Sequence, residues 1–560
     1  MNKLIFVSGG VCSSLGKGVS ASSLGALLES RGLNVRMVKC DPYINVNAGN
    51  QSPYVHGEIY VTDDGAQTDL DLGNYARFTS GQLSQANSIT TGQVYDSVIR
   101  REREGGYKGL CVQVIPHITD EIKARILAAA KEDEDTDVSI IEIGGTIGDI
   151  ECIPFVEAAR QLIHESGHGN AISAHLTLIP EVGEGELKTK PTQHSVKAMQ
   201  EMGIQPDILI CRSPVMLDKD TCHKIALLCN VENDSVFTCV NVSKTIYEIP
   251  LMFYEQKLDQ VVLKKLGIAA RHANIKPWKS VMERVSSRKG KVRIGIVGKY
   301  IELHDAYQSV YEALFHASLE CGVEVELVNI DSARLEEAES AELILGKGAP
   351  EGSDKGAPSN EGGVDGILVP GGFGQRGIKG MIRAAAWARK NKIPYFGISL
   401  GMHIMVIEWA RNVLGWEDAD STEFNKNTKK AVISLSDDQA DSKKNNGIRH
   451  LGKYVSAVEP GTKLFAAYRE NTISERHRHT HDFSNQYREE MAKSGLVISA
   501  SCPAKDLVEC VEWPDHPWGL GVQFHPEFKS KPTAASPLFR DFIAVSRDVK
   551  ARKSDPQQRT

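Results

Sequence analysis

The sequence KLIFVSGGVCSSLGKGV at positions 3–19 decides the fold of the N-terminal half. A short apolar run, Lys3–Ser8, leads into a glycine-rich segment and then into a helical pattern that begins at Val19. A strand, a glycine loop and a helix in this order bind phosphate, because backbone N–H groups and the helix N-terminus face the anion. The residue pattern differs from the usual phosphate-binding loop motif, since glycine rather than serine or threonine follows Lys17. Taken alone, the segment could also be an ordinary glycine-rich turn.

Short apolar runs rich in β-branched residues alternate with longer helical patterns through the first 240 residues. Parallel sheets produce this alternation, because a helical crossover joins each strand to the next. A second α/β series begins at Val292, after a basic and polar stretch that has no strand pattern. The predicted organisation is a first α/β domain at 1–270, a linker at 271–291, a second α/β domain at 292–545 and a flexible tail at 546–560, with polar surface insertions at 346–363 and 436–447.

The composition excludes several classes of protein. With 65 Lys and Arg against 72 Asp and Glu, the formal net charge of −7 gives no general attraction for nucleic acid or an anionic membrane. A hydrophobic fraction of 41% and a charged fraction of 24% are ordinary for a folded globular chain. Eleven cysteines without a CxxC pair encode neither a disulfide framework nor a thiolate zinc site. We expect a cytoplasmic protein in which any phosphate is bound by basic residues concentrated at the binding site.

Two acidic residues stand where a magnesium ion beside the glycine loop would find oxygen ligands. Asp71 lies in DDGAQTDLDLG, and Glu142 lies near the end of an apolar strand pattern, where ligands of open α/β sheets bind. Either acid alone is more often a solvated loop residue. Further along, KTKPTQHS at 188–195 combines lysines with hydroxyl and amide groups, which suits a second triphosphate. In isolation, a charged surface loop is the simpler interpretation of that segment.

The stretch GISLG at 397–401 has the G-x-S-x-G pattern of a nucleophile elbow, in which a sharp turn exposes one reactive side chain. By itself, this pattern indicates that Ser399 belongs to a serine hydrolase. The order of the partners argues against an α/β-hydrolase, because His525 precedes Glu527 in QFHPEF, whereas the acid precedes the histidine in that fold. A serine hydrolase fused to a nucleotide-binding domain remains the alternative hypothesis, and a non-catalytic nucleotide-binding protein is a third.

Histidines at 477, 479 and 481 alternate along a possible strand and would share one face. Alternating histidines can bind zinc. No neighbouring cysteine or acidic cluster in the sequence completes a ligand set, so the pattern does not favour a zinc site.

Many motifs in order resemble the CTP synthase family. In the first half these are GGVCSSLGKG, KCDPYINVNAG, HGEIYVTDDGAQTDLDLGNYARF, EIGGTIGDIE and KTKPTQHSVK, and in the second VGKYIEL, LVPGGFGQRG, GISLGMH, STEF, ERHRH and QFHPEF. The resemblance implies an N-terminal P-loop-like parallel-sheet amidoligase domain and a C-terminal class I glutamine amidotransferase α/β domain. In the implied reaction, MgATP phosphorylates O4 of UTP, and ammonia from glutamine then displaces phosphate to give CTP, the last step of de novo CTP synthesis.

The resemblance also implies which residues bind each ligand. ATP is expected at Ser14, Leu15, Gly16, Lys17, Gly18, Val19, Asp71, Val240, Asn241 and Val242; UTP or CTP at Ser13, Asp149, Ile150, Glu151, Lys188, Thr189, Lys190, Pro191, Thr192, Gln193 and Lys224; a phosphate at Lys39; Mg²⁺ at Asp71 and Glu142; and glutamine at Gly372, Leu400, Gly401, Met402, His403, Glu423 and Thr480, with the backbone N–H groups of Gly372 and Leu400 as the oxyanion hole.

The implied catalytic residues of the amidotransferase are Ser399, His525 and Glu527, but the family's nucleophile is a cysteine. A serine hydroxyl is far less acidic than a thiol and must lose its proton during attack. We therefore predict that glutamine-dependent activity is lost or severely reduced while ammonia-dependent CTP synthesis persists. His403 and Thr480 also depart from the family, which usually has glutamine and arginine there, so only backbone contacts carry over directly at those positions.

The resemblance further implies regulation and assembly. A homotetramer that can polymerise into filaments is expected, together with feedback inhibition by CTP and activation by GTP near the domain junction. Phe373 and Arg376, which follow the predicted oxyanion glycines, are the candidates for the GTP neighbourhood.

Overall fold

Two compact units make up the chain in this computed structural model. The first contains Met1–Ala48 and Asp71–Glu283, and the second contains Gly49–Leu70 and Arg284–Thr560. The sequence did not predict that an early segment joins the second unit, because the boundary was placed only at the basic stretch. The two predicted polar insertions lie almost wholly outside the described residues. The structure describes residues 2–183, 185–269, 271–338, 341–346, 363–435 and 450–554.

In the described part of the first unit, seven strands form one parallel sheet. Its strands are buried on both faces, which explains their continuous apolar sequences. Six of these strands were predicted, and the edge strand Ser88–Thr90 was missed because three residues carry too little pattern. The sheet order is Val236–Val240, Ile208–Ser213, Ala171–Leu178, Lys3–Gly9, Val138–Ile143, Val35–Asp41 and Ser88–Thr90.

Helices connect these strands and bury an apolar core against the sheet. Phe6, Val38 and Ile141 from the sheet pack in one cluster with Ile126 and Phe155 from the helices. The helices of the first unit are Lys17–Ser30, Asp71–Phe78, Thr91–Arg103, Thr119–Ala130, Ile153–Ser166, Lys190–Glu201, Lys219–Cys229, Ile249–Glu255 and Leu258–Lys265.

Within the described ranges of the second unit, nine strands form a mixed sheet. Five neighbouring strands at one side run parallel, and the remaining strands are antiparallel. The sheet order is Glu324–Asp331, Lys291–Gly298, Gly366–Val369, Tyr395–Ile398, Gly519–Val522, Leu507–Glu512, Val497–Cys502, His450–Val458 and Thr472–His479.

The second unit also has a small three-stranded sheet beside the larger one. Its strands are Ala419–Ser421, Lys430–Leu435 and His481–Phe483. The early segment contributes helix Pro53–His56 and a short hairpin of strands Tyr60–Val61 and Gln67–Thr68. The other helices are Gln308–Cys321, Ser332–Glu337, Ala341–Leu345, Ile378–Lys390, Leu400–Asn412, Lys463–Tyr468, Arg488–Lys493 and Pro537–Ser554.

The segments predicted as a linker and as a flexible tail both contain helix. The stretch predicted as a linker contains helix Lys276–Ser287, in which Trp278 and Val281 are buried. The final helix, Pro537–Ser554, continues through much of the predicted flexible tail, because Phe542 and Ser546 lie one turn apart on its buried face. Among the described residues, none of the helices has the length and hydrophobicity that crossing a membrane requires.

Candidate active site

The glycine loop joins the strand Lys3–Gly9 to the helix Lys17–Ser30, as predicted, although the helix starts two residues earlier than expected. Gly16 precedes the helix with φ of 90°, a conformation that favours glycine. A Cβ atom on Gly18 would lie 2.2 Å from Asp71 Oδ1. Glycine is therefore required there for the start of the helix to approach the Asp71 carboxylate.

Lys39 lies in a buried cluster of carboxylates at the carboxyl ends of neighbouring strands. Its Nζ donates to the Asp71 carboxylate and, at 3.0 Å, to Glu142 Oε1. Asp41 Oδ1 lies 3.7 Å from the same ammonium group. Burial alone would lower the pKa of Lys39, but the three carboxylates together raise it well above its usual value. Lys39 therefore remains charged at any physiological pH.

The two predicted magnesium ligands are both held in this cluster. Burial raises the pKa of Glu142, and the hydroxyl of Tyr75 donates to its Oε2 at 2.5 Å. Burial also opposes ionisation of Asp71, but the ammonium of Lys39 lowers the pKa of that carboxyl. Because Mg²⁺ prefers carboxylate oxygens that leave room for water and phosphate, this donor set fits the ion.

Lys17 lies beside the same cluster, at the first residue of its helix. Its Nζ donates to the carbonyl oxygen of Gly145 at 2.6 Å. Burial lowers the pKa of Lys17, and the neighbouring charge of Lys39 lowers it further. Two lysines that repel each other in a partly enclosed space form a site that a polyphosphate would stabilise.

A buried histidine joins helix Lys190–Glu201 to the strand Lys3–Gly9, which leads into the glycine loop. His175 Nδ1 is 2.8 Å from Ser8 Oγ, and its Nε2 is 2.7 Å from Ser195 Oγ. A Cβ atom on Gly10 would lie 1.8 Å from Ser195 Oγ. The segment predicted to bind the second triphosphate therefore lies directly against the glycine loop.

The residues predicted for the pyrimidine nucleotide divide into two groups. Thr192 is buried, and its Oγ1 is 2.9 Å from Thr177 Oγ1 and donates to the carbonyl oxygen of Leu178. Gln193 Nε2 donates to Thr189 Oγ1 at 3.1 Å. These side chains make their hydrogen bonds within the first unit, and the backbone N–H of Gln193 donates to the carbonyl oxygen of Thr189 at 3.1 Å. The exposed members of the set are Ser13, Asp149, Ile150, Glu151, Lys190 and Lys224, and Lys188 is half-buried.

A cavity of about 350 Å³ opens on the other side of the glycine loop. Ser14 and Leu15 line it together with Asn241, three residues that were predicted for ATP. Arg212 also lines it and donates from Nε to Asn241 Oδ1 at 2.8 Å. Arg212 was not predicted, and the available signal was an arginine at the end of the otherwise apolar strand Ile208–Ser213.

In the second unit, Ser399 occupies a sharp turn between strand Tyr395–Ile398 and helix Leu400–Asn412. Its φ of 50° and ψ of −101° are strained for a residue with a side chain. A Cβ on Gly397 would lie 2.4 Å from the carbonyl oxygen of Gly401, and one on Gly401 would lie 2.2 Å from that of Val369. Both glycines of the motif are therefore sterically required, and the turn has the geometry of a nucleophile elbow.

His525 and Glu527 form the pair that the motif QFHPEF predicted. His525 Nδ1 is 2.7 Å from Glu527 Oε1, which orients the ring. The other ring nitrogen, Nε2, is buried and has no hydrogen-bond partner in the part of the chain that the structure describes. Ser399, His525 and Glu527 line one cavity of about 340 Å³. This arrangement leaves Nε2 available to accept a proton from a nucleophile bound in the cavity.

The loop that follows strand Gly366–Val369 is held by charged groups. Lys299 Nζ donates to the carbonyl oxygens of Phe373, at 3.1 Å, and of Gly374. Glu423 Oε1 accepts from the backbone N–H of Gly374 at 2.7 Å. Burial lowers the pKa of Lys299 to about 8. Lys299 was not predicted, although a lysine directly after an apolar strand was the signal that could have found it.

Among the described residues that line the Ser399 cavity, Gly372 is present, but the side chains predicted to bind glutamine are not. His403 Nε2 is instead 2.9 Å from Gln523 Oε1, and Thr480 Oγ1 is 2.8 Å from His481 Nδ1. Glu423 holds the backbone loop. The cation of the cavity is Arg478, which sequence analysis missed because its motif resembles a polar turn.

Arg478 is partly buried in the cavity wall. Its guanidinium lies 5.0 Å from the ring centroid of Phe373, and Nε donates to Gln67 Oε1 at 3.2 Å. Burial lowers the pKa of Arg478 to about 10, so the group is still charged at neutral pH.

The early segment forms part of the cavity wall through Gln51, Glu58 and Ile59. The Glu58 carboxylate accepts hydrogen bonds from the backbone N–H and the hydroxyl of Ser309. The Tyr60 hydroxyl accepts a hydrogen bond from Arg476, which is also paired with Asp63. These bonds join the segment firmly to the second unit.

The chain matches two protein-family models that divide it in the same order. Residues 3–268 match "CTP synthase N-terminus", and residues 302–545 match "Glutamine amidotransferase class-I". The chain is 51% identical over 551 residues to the CTP synthase of Clostridium acetobutylicum, covering 98% of this chain and 99% of that protein. It belongs to the CTP synthase family. The CTP synthase of Geobacter sulfurreducens is also 51% identical, over 553 residues.

The chain is also similar to one half of the same kind of enzyme among the solved structures. The glutaminase domain of the Trypanosoma brucei CTP synthase, with bound acivicin, is 38% identical, covering 46% of this chain and 94% of that domain, with a TM-score of 0.40. The predicted fold class, a parallel-sheet amidoligase domain followed by a class I amidotransferase domain, is confirmed for this member of the CTP synthase family.

Proposed function

We propose that this chain makes CTP from UTP, with a 4-phosphorylated UTP as intermediate. The γ-phosphate of ATP is transferred to O4 of the uracil ring, which converts a poor leaving group into a good one. Ammonia then adds to C4, and the C4–O4 bond breaks to release inorganic phosphate and CTP. Membership of the CTP synthase family supports this reaction, and the cluster of Lys17, Lys39, Asp71 and Glu142 is the observation that carries it.

Each residue of the cluster has a defined task in this proposal. Asp71 and Glu142 would hold Mg²⁺, which when bound neutralises charge on the polyphosphate. Lys17 contacts the transferred phosphoryl group, because its ammonium stands at the helix N-terminus where anions bind. Lys39 orients both carboxylates through its hydrogen bonds to them. Arg212 and Asn241 line the neighbouring cavity, which is placed to take the nucleoside of ATP.

Tyr75→Phe is expected to raise the Mg²⁺ concentration for half-maximal ammonia-dependent CTP formation by about 10-fold to 100-fold. The substitution removes the hydroxyl that donates to Glu142 Oε2, so the carboxylate loses its fixed orientation. Magnesium titrations of the initial rate at saturating nucleotides measure the shift. Tyr95→Phe, on helix Thr91–Arg103, is the control. Equal midpoints for both variants would show that Tyr75 does not position the carboxylate.

We further propose that the amidotransferase half is impaired because Ser399 occupies the nucleophile position. The elbow, the pair of His525 and Glu527 and the cavity are all intact. A thiol has a pKa of about 8.5, and a protein site readily lowers that pKa further. A serine hydroxyl must instead lose its proton during the attack. The elbow, the His525–Glu527 pair and the cavity can still orient an acyl group. They do not make the Ser399 hydroxyl acidic enough to attack it efficiently.

Arg478 is proposed to bind the carboxylate of glutamine in this cavity. The family's arginine is replaced by Thr480 here, and among the described lining residues Arg478 is the only lysine or arginine. A charge-assisted hydrogen bond in an enclosed site is stronger than one in water.

The serine hydrolase alternative is not favoured. The match to the class I amidotransferase model covers the elbow and the His-Pro-Glu motif together. A fluorophosphonate probe distinguishes the two classes, because it labels an activated serine. We expect no labelling at Ser399.

Assembly and regulation complete the proposal. We expect a cytoplasmic homotetramer, able to form filaments, in which CTP inhibits and GTP activates. All eleven cysteines lie in the described ranges and are free, as a reducing compartment requires. We propose that GTP binds near Phe373 and Arg376, where the Arg376 guanidinium donates to the Tyr54 hydroxyl and Tyr54 packs edge-on against Tyr300.

The deciding experiment measures CTP formation from UTP and MgATP with two nitrogen donors. One reaction contains ammonium chloride, and the other contains glutamine with GTP. Turnover with ammonia alone supports both parts of the proposal. Equal turnover with both donors would show that serine is a competent nucleophile, and turnover with neither would leave a nucleotide-binding protein without synthase activity.

A further inference from the structure

Two histidines and an aspartate, none of which is used in the proposed reaction, converge in a buried cluster of the second unit. His450 and His479 face each other as register partners on adjacent antiparallel strands. Asp482 comes from the neighbouring strand His481–Phe483 of the small sheet. One ligand atom from each residue lies within 4.8 Å of the other two. The sequence pattern of histidines at 477, 479 and 481 did not predict this set, because His450 and Asp482 complete it instead.

The two carboxylate oxygens of Asp482 are directed at different rings. His450 Nε2 is 3.2 Å from Oδ2, and His479 Nδ1 is 2.9 Å from Oδ1. The two imidazole rings are stacked with centroids 4.7 Å apart. All three side chains are at least nine-tenths buried. Three metal-binding groups are thus held together in the interior of the second unit.

His479 is the member of the cluster that its protein surroundings leave unsatisfied. Its ring is 2% exposed, its Nδ1 is paired with Asp482 Oδ1, and its Nε2 has no hydrogen-bond partner in the part of the chain that the structure describes. A buried polar atom without a partner costs roughly 1–3 kcal/mol. Such a group is expected to have a ligand that completes its coordination.

The neighbouring His477 shows what a purely structural histidine looks like in this sheet. It is fully buried, and its Nε2 is 2.6 Å from Glu509 Oε2. That histidine and carboxylate satisfy each other as a pair. In the cluster, one carboxylate is shared between two rings, His450 Nδ1 is 3.1 Å from the Tyr454 hydroxyl, and His479 Nε2 is left without a hydrogen-bond partner among the described residues.

We propose that His450, His479 and Asp482 bind a divalent transition metal ion of the zinc class. Two imidazoles and one carboxylate are a common protein ligand set for such ions, with a further position open to water. Bonds of about 2.0–2.2 Å place ligand atoms roughly 3–3.5 Å apart, so small side-chain rotations bring these atoms into coordination. The ion would link strands His450–Val458 and Thr472–His479 to the small sheet.

This site goes beyond the proposed CTP synthesis, and its test uses the full-length protein without substrates. Co²⁺ replaces Zn²⁺ in such sites and has visible absorption bands that are strong in four- or five-coordinate sites and weak in six-coordinate ones. Titration with Co²⁺ is carried out in excess Mg²⁺, which occupies the carboxylates of the first unit. We expect one strongly absorbing ion per chain, displaced by Zn²⁺.

Asp482→Asn keeps the size of the side chain and removes its charge, and His450→Asn removes one imidazole. Each is expected to weaken Co²⁺ binding by about 100-fold or more. His304→Asn is the control, because His304 is an exposed histidine of the same unit. Asp482→Glu retains a carboxylate and should retain binding. Unchanged binding in Asp482→Asn, or no strongly absorbing ion in the wild type, would overturn the proposal.

A second measurement does not depend on the folding of the variants. X-ray absorption at the zinc edge of the wild-type protein, loaded with one equivalent of Zn²⁺, counts the imidazole ligands. Two imidazoles with oxygen ligands support the site. A six-oxygen shell would place the ion elsewhere and refute it.

Discussion

Ser399→Cys is expected to raise glutamine-dependent CTP formation by roughly 1,000-fold while leaving ammonia-dependent formation unchanged. The strained turn already presents the side chain in a cavity with His525, and the histidine ring is already oriented by Glu527. Only the acidity of the nucleophile changes, because sulfur replaces oxygen at one atom. Initial rates with each nitrogen donor, at saturating UTP and MgATP, measure the two activities separately.

Ser399→Ala is the matched control for this experiment. It removes the nucleophile altogether and should also leave the ammonia-dependent rate unchanged. If Ser399→Cys gained no glutamine activity, the defect would lie in glutamine binding, where His403 and Thr480 depart from the family. Acivicin labelling of the cysteine variant would then separate a reactive but unoccupied site from an unreactive one.

Asp71→Asn is expected to lower the rate with both nitrogen donors by about 1,000-fold. The substitution keeps the shape of the side chain but removes one magnesium ligand and one of the charges that hold Lys39. A lower rate with both nitrogen donors distinguishes Asp71→Asn from every change at Ser399, because the synthase half acts on UTP before ammonia is used. Rates with ammonia and with glutamine in the Ser399→Cys background test this directly.

Asp234→Asn provides the control for Asp71→Asn. Asp234 is exposed, and its ion pair with Lys264 lies on the surface, where such pairs contribute little. Its rates should match the wild type. If Asp71→Asn retained more than about a tenth of the wild-type rate, Glu142 alone would be sufficient to hold the ion.

The sequence predicted the parts of the fold that follow a regular pattern. The apolar runs of the parallel sheet, the glycine loop and the elbow are local features, so each can be recognised from its own residues. The strand Ser88–Thr90 was too short for this. The helix Lys276–Ser287 was also missed, because its composition is basic although Trp278 and Val281 are buried.

Site residues that belong to a recognisable motif were predicted. Residues that reach the site through contacts with distant parts of the sequence were missed. Asp71, Glu142 and Lys39 were expected, and all three are in contact. Arg212, Lys299 and Arg478 act through neighbours far away in sequence, so no local pattern identified them. Gln193 and His403 were assigned to ligands, but the side chain of each forms a hydrogen bond with another residue of the protein. These partners are known only once the chain is folded and packed.

The path of the chain between its two units limits how this protein can be divided. Since the chain passes from one unit to the other after Ala48, Leu70 and Glu283, no single cut separates them. A fragment ending at residue 270 would carry Tyr60 and Val61, now buried, into water. A fragment beginning at residue 284 would keep the elbow but lose the wall formed by Glu58 and Ile59. Replacing the amidotransferase half by that of a relative therefore requires exchanging two segments of the gene together, and the two halves are expected to evolve as a matched pair.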